Sequence, residues 1–226
     1  MTPTYHHALH QGSEEWLAAR CGLLTASEMK LVLTPTLKVA NNEKVRAHVY
    51  ELAAQRITRY VEPHYVSDDM LRGIEDEVEA RILYDATYAP VQDCGFVTND
   101  KWGFTIGYSP DGLVGDDGLI EAKSRRQKFQ IQTLVENAMP DDYVLQVQTG
   151  LLVTGRKWLD FISYSGGLPM LTIRVYPDEK IQTAIVEAAT TFEAQVAAAV
   201  AGYEATITSG ARLIPTERKD RGEILI

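Results

Sequence analysis

Apolar and polar residues alternate along the chain with two different periods, and each period predicts one kind of element. A period of three to four residues, typical of amphipathic helices, occurs over residues 41–61 and 68–84. In the second segment the apolar residues share one side of the predicted helix: Leu71, Ile74, Val78, Ile82 and Leu83. Spacing, caps and breakers predict five further helices, over residues 13–20, 25–34, 127–137, 143–153 and 178–203.

Short segments rich in aromatic and β-branched residues predict strands between these helices. Residues 95–98, 103–108 and 118–123 are separated by Asn-Asp and Asp-Asp-Gly turns and predict a meander. Residues 157–165 and 170–176 predict a hairpin across a Gly-Gly turn. The order of helices, small sheet, helices, hairpin and helix predicts an α/β or α+β fold, with a central mixed sheet flanked by helices.

Length and composition favour one soluble domain over residues 1–226. The chain has 226 residues, 45% of them hydrophobic and 23% charged, which is ordinary for a globular protein. It contains no run of about 18 apolar residues and no signal-peptide pattern at its start, so we expect a cytoplasmic protein with no membrane partner. The tail, about residues 210–226, is polar until its end, and we expect it to be mobile or oligomer-forming.

The cysteine count and the charge exclude some classes of function. Cys21 and Cys94 are too few for an all-cysteine zinc site or an iron–sulfur cluster, and we expect both to be free thiols. A net charge of -9 argues against broad, nonspecific coating of DNA. It still allows a local basic groove, because net charge is an average over the whole molecule.

Two carboxylates and a lysine form the constellation most indicative of chemistry. Glu121 and Lys123 lie two apart on a predicted strand, so their side chains share a face, and Asp111 lies before the preceding turn. Converging carboxylates repel each other unless a cation lies between them, and oxygen ligands favour Mg²⁺ or Mn²⁺. Lys123 would position or deprotonate a water, or neutralise charge on a phosphate. The pattern alone also fits a plain hairpin with a turn aspartate and solvated charges.

Pro110-Asp111 followed by Glu121-Ala122-Lys123 resembles the motif of the PD-(D/E)xK nuclease superfamily. Three further blocks resemble the lambda exonuclease and YqaJ-type viral recombinase family. They are residues 16–27 (WLAARCGLLTAS), residues 72–81 (RGIEDEVEAR) and the Gln-Val-Gln at 146–148. Four blocks in the family's order span roughly residues 11–164. The resemblance implies a restriction-endonuclease-like core.

The resemblance implies a role for each matching acid and for the lysine. Asp111 would bridge two metal ions, and Glu121 and the peptide carbonyl of Ala122 would bind one of them. Lys123 would orient the attacking water, and Glu77 would lie at the second ion. Glu75 replaces Glu77 if the register is shifted. Without the family, these helix acids fit a solvated face.

The resemblance also implies a pocket for a 5′ phosphate formed by Arg20, Ser27 and Ser109, with Thr25 nearby on the DNA side. Guanidinium and hydroxyl groups are suitable donors for a phosphate. Thr25 and Ser27 also fit plain helix capping, and the two interpretations are compatible. The family carries an arginine where this chain has Phe129, so we expect Arg126 or Lys128 to replace it.

Other candidate DNA contacts are weaker. Met70 matches an apolar wedge at the end of the duplex, although a methionine at this position also fits ordinary core. Gln148 or Gln146 would hydrogen-bond the site, although either also fits a polar helix start. The cluster of Arg125, Arg126 and Lys128 would form a basic DNA track, against the alternative of solvated charges.

Together these features predict a Mg²⁺- or Mn²⁺-dependent 5′-to-3′ exonuclease with two ions. It would digest one strand of linear double-stranded DNA to 5′-mononucleotides and leave 3′ tails for phage-type recombination. The resemblance implies a ring-shaped homotrimer and a single-strand annealing protein as partner, in a phage or prophage context. The alternatives are an endonuclease, a CRISPR-associated RecB-like nuclease, or a DNA-end-binding protein without activity.

Overall fold

The computed structural model describes residues 2–63 and 67–218. Its α-helices are α1 (Glu14–Arg20), α2 (Met29–Val32), α3 (Glu43–Thr58), α4 (Asp68–Thr87), α5 (Gln127–Glu136), α6 (Val144–Thr154) and α7 (Glu179–Thr208). Its strands are β1 (Thr4–His6), β2 (Leu24–Thr25), β3 (Val91–Gln92), β4 (Phe96–Asn99), β5 (Ile106–Tyr108), β6 (Gly112–Val114), β7 (Gly118–Ser124), β8 (Trp158–Tyr164) and β9 (Leu171–Val175). Short 3-10 turns, Ala26–Glu28 and Asp141–Tyr143, precede α2 and α6.

The strands form two mixed sheets flanked by helices. One sheet has the order β1-β4-β5-β2, and the other has the order β3-β6-β7-β8-β9. The predicted α/β class is confirmed, but the predicted meander is wrong, because β4 and β5 lie in the first sheet while β7 lies in the second. Strands β1, β2, β3 and β6 have only two or three residues each, too few to show a period in the sequence.

Strand β7 is the centre of the second sheet. It pairs antiparallel with β6 and parallel with β8, with Glu121 opposite Phe161. A parallel neighbour requires a long crossover, which α5 and α6 provide. The first five residues of β7 are buried, as expected for a strand covered on both faces.

Local capping explains where the helices begin. Ser13 accepts a hydrogen bond from the backbone N–H of Trp16 at the start of α1. Asn42 accepts from two backbone N–H groups at the start of α3, and Asp178 caps α7. These side chains satisfy donors that the first helical turn leaves without partners.

The core consists of two clusters on opposite faces of the second sheet. The larger lies between the sheets and helices α3, α6 and α7, and includes Phe161 and Phe192. The smaller joins α4 to the other face, with Ala80 and Tyr84 of α4 against Ile120, Ala122 and Ile162. Strand β7 therefore presents alternate residues to different neighbours, which places Glu121 and Lys123 on one face and Ala122 on the other.

Helix α4 buries only its inner side. The apolar residues that the sequence places on one side do share a face, but that face points to solvent. Leu71, Ile74, Val78 and Ile82 are 51%, 60%, 54% and 56% exposed.

Among the described helices, α7 alone is long and apolar enough to cross a membrane by length and composition. The core helix of a soluble protein can have the same length and composition. Ile185, Ala188 and Phe192 of α7 are buried against the core. The two cysteines are free, as predicted.

Replacing Phe161 with alanine tests the larger core cluster. Phe161 is fully buried, so Phe161→Ala should lower the free energy of unfolding by about 3–5 kcal/mol, measured by urea denaturation. Tyr50→Ala serves as the control, because Tyr50 is 69% exposed. Equal losses in the two variants would contradict the assignment of Phe161 to the core.

Candidate active site

The turn between β5 and β6 brings Asp111 beside β7. Gly112 pairs with Ile120, so the residue before Gly112 lies next to the centre of β7. The Oδ2 of Asp111 accepts a hydrogen bond of 2.6 Å from the backbone N–H of Ala122. Asp111 is 8% exposed and Glu121 is 1% exposed, so both carboxyl groups are withdrawn from solvent.

Three donors hold the carboxylate of Glu121. Lys123 Nζ and Gln146 Nε2 each donate to Oε1 at 2.5 Å, and the Tyr108 hydroxyl donates to Oε2 at 2.8 Å. The ring of Tyr108 packs closely on the backbone of Gly150 in α6. A Cβ added at this glycine would lie only 2.7 Å from the ring. The acid is therefore both buried and oriented.

Helix α4 supplies the third acid. Glu77 is half-buried and interacts with Asp111 by a side-chain hydrogen bond, whereas Glu75 is exposed. Residues Ala80 and Tyr84, one and two turns further along α4, are buried on the same side of the helix. The geometry thus favours Glu77 over Glu75 as the acid near Asp111.

A cavity of about 210 Å³ joins these side chains to a second group from the N-terminal region. Its lining comprises Gln11, Trp16, Arg20, Thr25, Ala26, Ser27, Glu77, Tyr108, Ser109, Asp111, Glu121, Lys123 and Gln146. The four side chains predicted for the acidic centre line this one space, together with Arg20, Thr25, Ser27 and Ser109 of the predicted phosphate pocket.

The carboxyl groups destabilise one another's charged forms. Burial raises the pKa of Asp111 well above its ordinary value, and the carboxylates of Glu121 and Glu77 raise it further. Burial likewise raises the pKa of Glu77. Burial opposes the charge of Lys123, but Glu121 and Asp111 outweigh it and raise the pKa of the ammonium group. Lys123 is therefore a cation in this arrangement.

Arg20 forms the opposite wall of the cavity. Its guanidinium lies 4.3 Å from the centroid of the Trp16 ring and donates to Ser109 Oγ and Thr25 Oγ1, each at 3.3 Å. Trp16 Nε1 also donates to Ser109, at 3.0 Å. Burial lowers the pKa of Arg20, and the carboxylate of Glu28 partly opposes this. The stacked ring keeps the guanidinium in one orientation.

Thr25 and Ser27 lie beside Arg20. The backbone N–H and the hydroxyl of Thr25 both donate to Glu28 Oε2, so the predicted capping box is present. Ser27 is exposed at the rim, with its Oγ 3.3 Å from Thr25 Oγ1. Capping and a position on the cavity wall are compatible here.

Gln148 does not reach the site. It donates to the carbonyl of Tyr176 at 2.9 Å and accepts from the backbone N–H of Asp178 at 2.8 Å. Residue 148 faces away from β7, and its contacts connect α6 to the start of α7. The alternative, Gln146, contacts Glu121 instead.

The predicted basic replacement for the family's arginine lies elsewhere. Arg125 and Arg126 line a separate cavity of about 420 Å³ with Arg72 and Asp76 of α4. Lys128 lies over the ring of Phe129 on the surface. None of these basic residues lines the cavity of Arg20, so the proposal that Arg126 or Lys128 completes that pocket finds no support in the geometry.

Met70 lies on the first turn of α4 and is 52% exposed. It is therefore not core, which was the alternative to the predicted wedge. It lies outside the cavity, and a contact with DNA stays a prediction.

Sequence reasoning missed several residues of the cavity. Tyr108 fits an ordinary strand aromatic, and Trp16 belongs to the block at residues 16–27, but neither was given a role at the site. Tyr108 is three residues before Asp111 on a short strand, and this proximity was the available signal. Its hydrogen bond to Glu121 depends on the contact between two sheets, which no local pattern reveals.

The donor set suits a hard divalent cation. Among the described residues, no three acidic, histidine or cysteine side chains form a ready-made metal cage. Mg²⁺, however, is usually held by one or two carboxylates with several waters, rather than by a cage of protein ligands. Asp111 and Glu121 fit that pattern. The raised pKa of Asp111 indicates that the two carboxylates repel each other, as expected where a cation would lie between them.

Comparison with known proteins agrees with this geometry. Residues 15–157 match the family described as the YqaJ-like viral recombinase domain, which is more than half of the chain. The chain belongs to the YqaJ-like viral recombinase family. The match begins beside Trp16 in α1 and ends before β8, so it includes every side chain of the acidic centre.

Solved structures place this YqaJ-like domain among exonuclease folds. An alkaline exonuclease, LHK-Exo from Laribacter hongkongensis, is 32% identical with a TM-score of 0.77, over 87% of this chain and 99% of that one. LHK-Exo in complex with dAMP matches with 30% identity and a TM-score of 0.73. A phage-related exonuclease from Haemophilus somnus 129PT shares the fold at 12% identity, with a TM-score of 0.61 over 80% of this chain and 96% of that one. Curated protein sequences contain no match.

Asp111→Asn should stabilise the metal-free YqaJ-like domain at neutral pH. Folding raises the pKa of Asp111. The folded state therefore loses stability, relative to the unfolded state, as pH rises from the ordinary pKa of an aspartate toward the raised pKa. Asparagine still accepts the hydrogen bond of Ala122 but carries no charge, so the free energy of unfolding should rise by about 1 kcal/mol.

This difference should disappear below about pH 4, where an unfolded aspartate is also largely protonated. Urea denaturation with EDTA across pH measures it. Asp116→Asn, at an exposed turn, is the control and should change little. A destabilised Asp111→Asn variant at pH 7 would contradict the repulsion.

Proposed function

We propose that this YqaJ-like domain is a divalent-metal-dependent deoxyribonuclease that digests one strand of linear double-stranded DNA in the 5′-to-3′ direction. It would release 5′-mononucleotides and leave 3′ tails for homologous recombination of the phage type. One observation carries the proposal: Asp111, Glu121, Lys123 and Glu77 share a cavity with Arg20. The likeness to alkaline exonucleases supports the nuclease class.

Asp111, Glu121 and the carbonyl of Ala122 would hold a Mg²⁺ or Mn²⁺ ion, and Glu77 would approach a second one. A bound ion of this kind polarises a phosphate and lowers the pKa of a water. Side chains of the protein position the acids that would hold the ion. Tyr108 and Gln146 fix both oxygens of Glu121, which keeps the acid in one rotamer during turnover.

Lys123 acts as a cation in this proposal. Its Nζ donates a hydrogen bond to Glu121 Oε1, so it places a hydrogen-bond donor beside the proposed ion. A protonated lysine beside a scissile phosphate orients water and stabilises the negative charge that builds up on the phosphoryl oxygens. In the proposed mechanism Lys123 therefore positions the water or neutralises charge on the phosphate, and deprotonation of the water by Lys123 is the alternative.

Arg20 supports an exonuclease over an endonuclease. A terminal 5′ phosphate carries about two negative charges, against one for an internal phosphodiester, and a guanidinium held by Trp16 can bind it in a fixed geometry. Ser27 and Ser109 add hydroxyl groups to the same wall. The LHK-Exo structure in complex with dAMP, a nucleoside monophosphate, is consistent with a mononucleotide product.

The negative net charge is an average over the whole molecule, so it is compatible with a local group of basic residues. Arg72, Arg125 and Arg126 line the second cavity, next to the segment that follows Lys123. They would contact the DNA backbone beyond the cleaved nucleotide. By resemblance, the proposal also includes a homotrimer around DNA and a single-strand annealing protein as partner.

Digestion of a linear duplex labelled separately at each 5′ end tests the activity. With Mg²⁺ the wild-type protein should release labelled mononucleotides from both ends, and EDTA should stop the release. Lys123→Ala should reduce the rate at least 100-fold, because it removes the cation beside the phosphate. Lys157→Ala is the matched control, since Lys157 is 73% exposed and pairs with Asp117.

The substrates separate the alternatives. Cleavage of closed circular duplex would indicate an endonuclease instead. Tight binding to ends, with no Mg²⁺-dependent release from any substrate, would indicate an end-binding protein. Full activity of Lys123→Ala would remove the proposed site.

Arg20→Ala should selectively weaken the preference for 5′-phosphorylated ends. We expect a loss of roughly 10-fold or more in kcat/KM on phosphorylated duplex and little change on 5′-hydroxyl duplex, because only the former has the dianion that Arg20 binds. Arg46→Ala, at an exposed position of α3, is the control. An equal loss on both kinds of end would exclude Arg20 from phosphate recognition.

A further inference from the structure

The face of β7 that carries Glu121 and Lys123 continues, just past the end of the strand, with a second cation, Arg125. The backbone N–H of Arg125 donates to the carbonyl of Tyr164 at 2.7 Å, so the chain keeps its place beside β8 there. Alternate residues of an extended chain point to the same face, which puts Arg125 on the side of Lys123. The two cations also share a neighbour: Lys123 Nζ lies 5.9 Å and Arg125 Cζ 5.5 Å from the centroid of the Tyr143 ring.

Aromatic side chains hold the guanidinium of Arg125. Its Cζ lies 5.3 Å from the centroid of the Phe129 ring, and its Nη1 donates to the hydroxyl of Tyr143 at 3.0 Å. Tyr143 in turn packs on the buried Phe161, with the ring centroids 5.3 Å apart. An arginine loses much rotamer freedom when it binds a ligand, and contacts with two rings and a hydroxyl reduce that loss. The guanidinium is therefore oriented before any ligand binds.

The guanidinium of Arg125 also retains donors for a ligand. Its Nε is buried and has no hydrogen-bond partner in the part of the chain that the structure describes. A buried donor without a partner destabilises the folded protein, and an acceptor supplied by a ligand removes that cost. Because Nη1 is engaged by Tyr143, the edge formed by Nε and Nη2 is the one left for a ligand. Arginine binds a phosphate through two parallel hydrogen bonds from such an edge.

The cavity of about 420 Å³ beside Arg125 is basic. Its lining comprises Arg72, Asp76, Arg125, Arg126, Gln127, Ser165 and Gly166. Among these described residues, arginines outnumber acids three to one. Helix α5 begins at the same cavity with Gln127, and no side chain caps its first turn. The positive end of the helix therefore adds to the charge of the arginines, and the space favours an anion.

We propose that Arg125 binds the phosphodiester of the cleaved strand that lies one nucleotide to the 3′ side of the scissile phosphate. This rests on the proposed function, in which Arg20 binds the terminal 5′ phosphate and Lys123 lies at the scissile one. Arg125 follows Lys123 on the side away from Glu121 and does not line the cavity of Arg20. Residues two apart on a strand are roughly 6.6 Å apart, comparable with the spacing of neighbouring phosphates in one DNA strand. Three consecutive phosphates would then each meet one cation, which sets the register of cleavage.

Equilibrium binding without cleavage tests this subsite. The probe is a 5′-phosphorylated linear duplex, measured by fluorescence anisotropy with Ca²⁺ in place of Mg²⁺, and electrophoresis checks that it stays intact. Arg125→Ala should weaken binding about 10-fold, because a charge-assisted contact is lost. It should also lower the slope of log Kd against log salt concentration by about 1, as expected for one phosphate contact. Arg125→Lys, which keeps the charge, should keep the slope and lose less affinity.

Arg46→Ala is the matched control for these measurements, because Arg46 is exposed on α3. It should change neither the affinity nor the slope. Circular dichroism checks that all the variants fold. An unchanged affinity and slope in Arg125→Ala, or the same loss in Arg46→Ala, would overturn the proposal.

A neutral linkage identifies the phosphate that Arg125 contacts. A methylphosphonate replaces one charged phosphodiester by an uncharged group. Placed one nucleotide to the 3′ side of the scissile position, it should weaken binding to the wild-type protein about as much as Arg125→Ala does, and it should weaken the variant no further. In the complementary strand, the same linkage should leave the deficit of Arg125→Ala intact. A deficit that disappears only with the linkage in the complementary strand would place Arg125 on the uncut strand and overturn the proposal.

These measurements read binding, so they are independent of nuclease activity. A wild-type protein that digests linear DNA, with an Arg125→Ala variant that binds equally well, would overturn the subsite and leave the proposed function standing. A loss that depends on the linkage, in a protein that cleaves no DNA, would contradict the proposed function and retain the phosphate contact. A wild-type protein that does not bind the duplex would overturn the subsite.

Discussion

Repulsion among three carboxyl groups, two of them buried and the third half-buried, is the constraint on which the rest of the site depends. Asp111, Glu121 and Glu77 approach one another from three separate elements, and Lys123 is the cation placed among them. Burial strengthens each pairwise repulsion, because the interior screens charge less than water does. The fold tolerates the arrangement by giving the acids donors: the Ala122 amide for Asp111, and Tyr108 and Gln146 for Glu121. In the proposed function, a divalent cation bound among these acids would relieve this repulsion.

How far the sequence predicted this outcome differs between levels of structure. The helices were predicted because their caps and periods are local, as with Ser13 at α1 and Asn42 at α3. The acidic centre was predicted because two residues on β7 and one before its hairpin partner are close in sequence. The division of the strands into two sheets was not predictable, since it depends on pairings such as β1 with β4, about ninety residues apart.

The differences between the predicted and the observed arrangement of the site have the same origin. Gln146 and Gln148 both open α6 and look equivalent in the sequence, but the helix rotation relative to β7 decides which one reaches Glu121. Arg126 follows Lys123 closely along the chain, yet the strand carries it past the cavity toward α4. Tyr108 was missed because its role, a hydrogen bond to Glu121, depends on a contact between the two sheets. In each case the deciding quantity is an orientation that only packing determines.

The parallel pairing of β7 with β8 has a consequence for synthesis on the ribosome. β7 ends at Ser124, but its neighbour begins at Trp158, after two helices have been made. Contacts between residues distant in sequence form slowly, because a long loop must close before they contribute. The emerging chain therefore carries Asp111, Glu121 and Lys123 well before the second sheet can close around them. The acidic centre is therefore enclosed only after β8, Trp158–Tyr164, has been translated.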